Sequence, residues 1–286
     1  MTAASPQLRF AIYAPNFGTL GDPRRVTDLA HLAEQAGWHG WFTWDNLLWE
    51  TDEPLADPWV TLAAVALATR RMRFGPLVTP LPRRRPWDVA RATATLDHLS
   101  GGRLIFGAGL GGDWYRELSA FGEELDDKVR ATMLDEGLDL LARLWSGEPV
   151  SFDGRHYHVD GVRFLPAPMQ RPRIPIWIAG VWPYRRALAR AARWDGVVPI
   201  AAEGLLPAAD VRQVVAAVHA GREAAGRPEP FDVAVMGRLH DLPAARRGAA
   251  VASMAEAGAT WWLESFAAGE PATAIERALE AGPPRG

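Results

Sequence analysis

The chain has 286 residues, a formal net charge of -3, no cysteine and a hydrophobic content of 48%. Length and apolar content suffice for one large core, while the lack of cysteine excludes disulfides, thiolate metal sites and a cysteine nucleophile. The slight negative charge argues against nucleic acid as a partner, and no run approaches the roughly 18 apolar residues of a membrane span. The opening MTAASPQ has no basic segment followed by an apolar one, so a cytoplasmic protein without membrane contact is expected.

Periodicity and turn residues lay out a regular series along the chain. An apolar strand over Leu8–Ala14 leads through a loop with Asn16 and Gly18 to a helix over Pro23–Gln35, capped by Asp22 with Pro23 in its first turn. Gly37 ends that helix, Gly40–Trp44 forms a second strand, and Asp57-Pro58 opens a helix that runs to Thr69. Strands at Arg73–Thr79 and Leu104–Gly109 alternate with helices at Pro86–Leu99 and Arg130–Trp145. After Gly147 the period changes, and Val150–Phe152 with His156–Val159, joined by Asp153-Gly154, reads as a small hairpin. The alternation then resumes with strands at Pro175–Gly180, Gly196–Ile200, Asp232–Gly237 and Thr260–Glu264. Their helices are Tyr184–Ala192, Pro207–Ala225, Pro243–Ala257 and Pro271–Ala281.

Strands that alternate with crossover helices require a parallel sheet, and eight such units close most economically into a single (β/α)8 TIM barrel spanning residues 1–286, with the hairpin as an insertion after the fourth helix. In such a barrel the active site lies at the C-terminal strand ends. That rule selects Asn16, Asp45, Asn46, Val78, Thr79, Gly111, Gly112, Gly180, Trp182, Glu203, His240 and Glu264. Among these, Asp45 is favoured for function because a carboxylate at a strand end faces the mouth, and His240 and Glu264 are the remaining titratable candidates for acid or base work. Trp44, Trp49 and Trp114 are candidates to wall a substrate pocket with flat side chains. The pair His156 and His158 has metal-hydrolase spacing but sits on the hairpin, while the first strand offers Ile12-Tyr13-Ala14 where ligands would be needed, so no metal site is assigned. Asp97 and His98 are expected to cap or pair, and the run Arg83-Arg84-Arg85 is either solvated or in touch with an anionic ligand.

The glycine-rich stretch after the fourth strand, Gly107, Gly109, Gly111 and Gly112, strips the backbone of side chains where a cofactor would sit. Its match to GxGxxG is imperfect and no acidic residue closes a short dinucleotide unit, which argues against a Rossmann fold. Together with GPLVTPLPRRRPWDVARATATLDHLSGGR, GAGLGGDWYRELSAFG, RPRIPIWIAGVWP, AARWDGVVP and ATWWLE, this stretch resembles the luciferase-like flavin- or deazaflavin-dependent oxidoreductases over nearly the whole chain. The resemblance implies a non-prolyl cis peptide at Leu77-Val78 under the cofactor ring, with Thr79, the loop Gly109–Gly112 and the turn of Gly180, Val181 and Trp182 as further cofactor contacts. It also implies an Asp-His pair at the second strand end, where this chain has Asp45-Asn46; Asn46 hydrogen-bonds but cannot titrate, so a base at that position is absent.

The leading expectation is hydride transfer between coenzyme F420 and a small organic substrate. The alternatives are an FMN-dependent monooxygenase that uses reduced flavin and O2, a cofactor-binding barrel without catalysis, and a cofactor-free or metal-dependent lyase barrel. A flavin or F420 reductase would supply electrons. Gly111 is expected to be glycine for cofactor approach and not for the fold. The second and third helices carry Val60, Leu62, Ala63, Ala66, Leu67, Val89 and Ala92, more apolar surface than one barrel face needs, so a homodimer through these helices is expected.

Overall fold

The computed structural model describes residues 8–50 and 53–284; MTAASPQ lies outside them. The strands are β1 (Arg9–Ala14), β2 (Gly40–Thr43), β3 (Arg73–Pro76), β4 (Thr79–Pro80), β5 (Phe106–Gly109), β6 (Val150–Asp153), β7 (His158–Val162), β8 (Ile176–Val181), β9 (Gly196–Ile200), β10 (Asp232–Gly237) and β11 (Trp261–Ser265). The α-helices are α1 (Pro23–Gln35), α2 (Pro58–Ala68), α3 (Pro86–Ser100), α4 (Asp127–Leu144), α5 (Arg185–Ala191), α6 (Ala208–Ala224), α7 (Ala244–Glu256) and α8 (Ala272–Ala281). Parallel pairing runs in the order β3-β2-β1-β11-β10-β9-β8-β5-β4, and a parallel bridge between Phe74 and Leu104 closes the ring. Because β3 and β4 are two halves of one interrupted strand, this is the (β/α)8 barrel, with β6 and β7 as a separate antiparallel hairpin between α4 and β8.

The predicted third strand, Arg73–Thr79, is therefore broken. The Leu77-Val78 peptide between its halves is cis, as the resemblance implied. The fourth helix begins at Asp127 instead of Arg130, because the Asp126 carboxylate accepts hydrogen bonds from the amides of Lys128 and Val129 and so starts the helix earlier. The second hairpin strand begins at His158 instead of His156, since the Gly154 amide donates to the Tyr157 carbonyl and makes the turn longer than the two residues Asp153-Gly154. Asp22 and Asp57 cap α1 and α2 in the expected way.

Two hydrophobic layers hold the barrel. The outer one lies between strands and helices and contains Trp41, Trp145 and Trp262. The inner one fills the lumen with Ala11, Phe42, Ile105, Trp177, Val198, Ala234, Trp261 and Leu263, so the barrel is a packed core and not a pore. The lumen leaves no room at Gly75, where a Cβ would stand 1.8 Å from the Ile105 carbonyl oxygen. At the N-terminal face, Arg103 is buried with its guanidinium donating to the carbonyls of Ala66, Thr69, Met72 and Ser100, and Glu34 accepts the amides of Arg70, Arg71 and Met72. Asp97 is likewise buried and accepts from Met169, Gln170 and its side-chain amide, while His98 meets the Ala167 carbonyl, so both tie down the segment before β8. Of the apolar residues expected at a dimer face, Leu62, Ala66 and Val89 are buried against the barrel, whereas Val60 and Leu67 are 68% and 70% exposed.

Packing at two glycines predicts opposite signs for one substitution. Gly75→Ala should destabilise the protein by about 1–3 kcal/mol or more, because backbone must move to admit the methyl group. Gly248→Ala, on the exposed side of α7 with nothing within 4 Å, should stabilise it by about 0.5–1 kcal/mol. Denaturant midpoints of the two variants check both.

Candidate active site at the barrel mouth

The lumen ends upward in one residue from every second strand around the barrel. Tyr13 of β1, Val78 beside the third strand's break, Ala179 of β8 and Met236 of β10 all pack on the inner core and are half-buried. They form the floor of the mouth, as expected where alternate strands of a (β/α)8 barrel contribute side chains in layers. Three of the four are apolar. The Tyr13 hydroxyl is the exception; burial pushes its pKa above the usual value of 10.0, and no hydrogen bond or charge offsets that.

An aromatic wall rises on one side of this floor. Trp44 stands 5.6 Å from Tyr13 and 5.7 Å from Phe17 by ring centroids, and Trp49 stacks on Phe17 at 4.1 Å and meets Tyr115 at 4.2 Å. Trp44 and Trp49, both expected to bind substrate, therefore belong to one cluster. Trp114 does not join it: it is 77% exposed and lies across Gly112, where a Cβ would stand 2.6 Å from its ring.

The rim below that wall is a closed network of charges. Asp45 accepts from Thr79 Oγ1 at 2.9 Å, from Arg83 Nη2 at 2.9 Å and from Arg84 Nη2 at 2.8 Å, and the Arg83 and Asp45 side chains are 4% and 0% exposed. Arg83 also reaches Glu117 at 3.3 Å, and Glu117 accepts from the Asn46 side chain and from the amides of Leu47 and Leu48. Asp45 thus does not face the mouth with a free carboxylate. Both of its oxygens accept hydrogen bonds, with the Thr79 hydroxyl as one donor, so Asp45 in this structure fixes the rim and presents no free carboxylate. Asn46 is bound into the same network. The run of three arginines is not simply solvated, since Arg83 is one of the most enclosed charges of the rim.

The glycine loop follows β5. Arg130 of α4 donates to the carbonyls of Leu110 and Gly111, and among the described residues the amides of Gly111 and Gly112 donate to nothing. Gly111 has φ +72 and a Cβ there would stand 2.8 Å from that of Pro80, so this glycine is required by the backbone itself, contrary to the expectation of a purely functional role. Gly109 faces Val78, with 2.6 Å between the position of a Cβ and Val78 Cγ2. Leu77 is buried in the inner core beneath them. Gly180 turns outward, where a Cβ would meet Ala187 of α5 at 2.3 Å, and Trp182 packs in the outer layer; Val181, between them, is half-buried at the mouth.

His240 and Glu264 lie elsewhere. Glu264 alternates with the lumen-facing Trp261 and Leu263 and so points outward, where it accepts from Trp262 Nε1, from the amides of Leu239 and His240 and from His240 Nδ1 at 2.5 Å. His240 Nε2 meets Glu270 at 2.9 Å, and Arg238 bonds both Glu270 and Asp241. The group borders a cleft of about 780 Å³ between α7 and α8, outside the barrel. Neither residue reaches the mouth, so the expectation that they act as acid or base is replaced by an ionic latch between the loops after β10 and β11. His240, Asp241 and Glu270 have spacing that would suit a metal ion, but Arg238 already occupies the two carboxylates. On the hairpin, His158 pairs with Asp153 and His156 with Thr132.

The sequence model of the luciferase-like monooxygenases matches residues 7–282. The chain belongs to that family. Within it, the chain is 32% identical over 263 residues to an F420-dependent hydroxymycolic acid dehydrogenase of Mycobacterium tuberculosis, covering 91% of this chain and 69% of the relative. It is 33% identical over 229 residues to an F420-dependent glucose-6-phosphate dehydrogenase of Nakamurella multipartita, covering 78% of this chain and 64%, just under two thirds, of that relative. Its fold superposes with TM-score 0.80 on an F420-dependent secondary alcohol dehydrogenase solved with an F420-acetone adduct, at 17% identity and covering 96% of this chain and 98% of the other.

Sequence reasoning missed Tyr13, Phe17, Tyr115, Glu117 and Arg130 as parts of this luciferase-like mouth. The signal for Tyr13 was present, since alternation along β1 puts it on the same face as Ala11. Glu117 and Arg130 gave none, because their partners are distant in the chain.

Two stability outcomes follow. Asp45→Ala leaves Arg83 and Arg84 facing a void and should cost about 3–5 kcal/mol, read from denaturant unfolding. For His240, burial opposes charging the ring, but the hydrogen bond to Glu264 and the charges of Glu264, Glu270 and Asp241 outweigh it and hold the pKa above the usual 6.5. A raised folded value means that the latch contributes fully below pH 6.5 and is lost as pH rises through that folded value. The native protein should therefore lose more stability between neutral and alkaline pH than His240→Gln, and equal slopes would show the ring uncharged in the folded state.

Proposed function

We propose that this chain is an F420-dependent oxidoreductase that exchanges a hydride with an apolar organic substrate at the C-terminal mouth of the barrel. The observation that carries the reading is the floor of Tyr13, Val78, Ala179 and Met236, uncharged at neutral pH and flanked by an aromatic wall and a glycine loop with unpaired amides. These residues fit a flat deazaflavin: Val78 lies where the ring would rest, Gly109 adds no bulk beside it, and the Gly111 and Gly112 amides are free to meet polar atoms. When bound, F420 supplies a carbon that gives or takes a hydride. The chain's own part is to seat the ring against Val78, hold the substrate against Trp44 and Trp49, and keep charge and water from between them. Asp45 and Glu117 of the rim are neutralised by Arg83 and Arg84, and the four floor residues carry no charge of their own at neutral pH. F420-dependence in two relatives above 30% identity supports the same cofactor here. A separate F420 reductase would recharge it.

The exposed face of α2, with Val60 and Leu67, is the surface through which two copies pair. Light scattering should give twice the chain mass of 31.3 kDa, and Val60→Glu with Leu67→Glu should return the monomer without loss of fold.

For the cofactor, fluorescence titration of the purified protein should show micromolar binding of F420 and at least about tenfold weaker binding of FMN, a difference of roughly 1.4 kcal/mol. Tighter binding of FMN than of F420 would turn the assignment to the flavin monooxygenase alternative.

A further inference from the structure

Among the titratable groups placed at the mouth, Tyr13 is the one whose ring packs on the inner core. Asp45 is saturated by Thr79, Arg83 and Arg84, Glu117 by Arg83, Asn46 and two amides, and His240 and Glu264 pair outside the barrel. Asn46, at the position where the family resemblance implied a histidine, has no titratable proton. Tyr13 alone stands in the floor itself, its ring held between the inner core and Trp44, with apolar neighbours Val78, Ala179 and Met236 that offer its hydroxyl no side-chain acceptor.

We propose that the Tyr13 hydroxyl is the proton donor to the oxygen of an apolar ketone bound between the floor and the aromatic wall. This rests on the reading of the barrel as a deazaflavin-dependent oxidoreductase. The carbonyl carbon accepts the hydride, with its electron pair, that the reduced deazaflavin supplies. The C=O π pair moves to oxygen, the phenol O–H bond breaks and a new O–H bond forms on the substrate, giving a secondary alcohol. The phenolate left on Tyr13 takes a proton back from water. Burial holds the Tyr13 phenol in its protonated form, so a hydroxyl proton is in place at the floor when the ketone binds.

The test uses Tyr13→Phe, which keeps the ring and its packing, with F420 and cyclohexanone as probes. Fluorescence titration measures F420 affinity for both proteins, and infrared spectroscopy reads the carbonyl stretch of cyclohexanone bound to the F420 complex. In the unaltered protein the stretch should move to lower frequency through a hydrogen bond from Tyr13, and the variant should lose that shift with F420 affinity unchanged. Ketone reduction by reduced F420 should fall by about 10²–10⁴-fold in the variant. A chain that binds no F420 overturns the cofactor reading. A chain that binds F420 but shows no lowered band, or the same band and rate in both forms, overturns the role of Tyr13 alone. Loss of F420 affinity in Tyr13→Phe overturns it too, by making the residue part of the cofactor seat.

Discussion

Two guanidinium groups meet one fully enclosed carboxylate at the rim of this barrel, and the form of the mouth depends on that contact. Asp45 follows β2, Arg83 and Arg84 follow β4, and Glu117 lies beyond β5, so three consecutive strand-to-helix loops are drawn to a single point. Taking these charges out of water is expensive, and the cost is offset because both Asp45 oxygens are hydrogen-bonded and Arg83 pairs through both of its Nη atoms. The geometry that satisfies them is narrow. It sets where Thr79 must stand, and so where the interrupted third strand resumes and where Val78 emerges into the lumen.

The third strand shows how local and global constraints meet. From the chain alone it reads as one continuous apolar run, and its outline was correct to within a few residues. What the run does not reveal is the break, because the reason for it lies in other elements: Gly75 must admit the Ile105 carbonyl, Gly107 must admit Pro76 and Leu77, and Gly109 must admit Val78. The glycines of β5 are thus the imprint of the neighbouring strand. They were visible in the sequence as a cofactor signal, and part of that signal is packing.

The fold was legible for a general reason. Strands buried on both faces and helices capped by aspartate carry their period in a short window, and eight repetitions leave little choice of architecture. The site was legible only in outline. The rule that strand ends face the mouth selected Asp45, His240 and Glu264 by position, but a strand end has two faces, and register decides between them. Glu264 follows Leu263 of the lumen and therefore points out, to a tryptophan and a histidine that no local pattern connects with it. Asp45 was selected for its charge, and charge is what the rim consumes. Tyr13 was passed over because it looks like any aromatic residue of a buried strand.

These placements share one electrostatic logic. Asp45, Glu117, Glu264 and Glu270 are paired at the rim or outside the barrel, and the inner core is aromatic or aliphatic, with the Tyr13 ring packed on it. A fixed charge beside a transferring hydride would favour one side of the reaction and draw water into the gap; an uncharged, enclosed floor does neither. The ionic rim supplies rigidity at a distance of one layer, so the floor stays level without polar anchors of its own. In this barrel the charged residues shape the site, and the uncharged ones are left to meet the reactants.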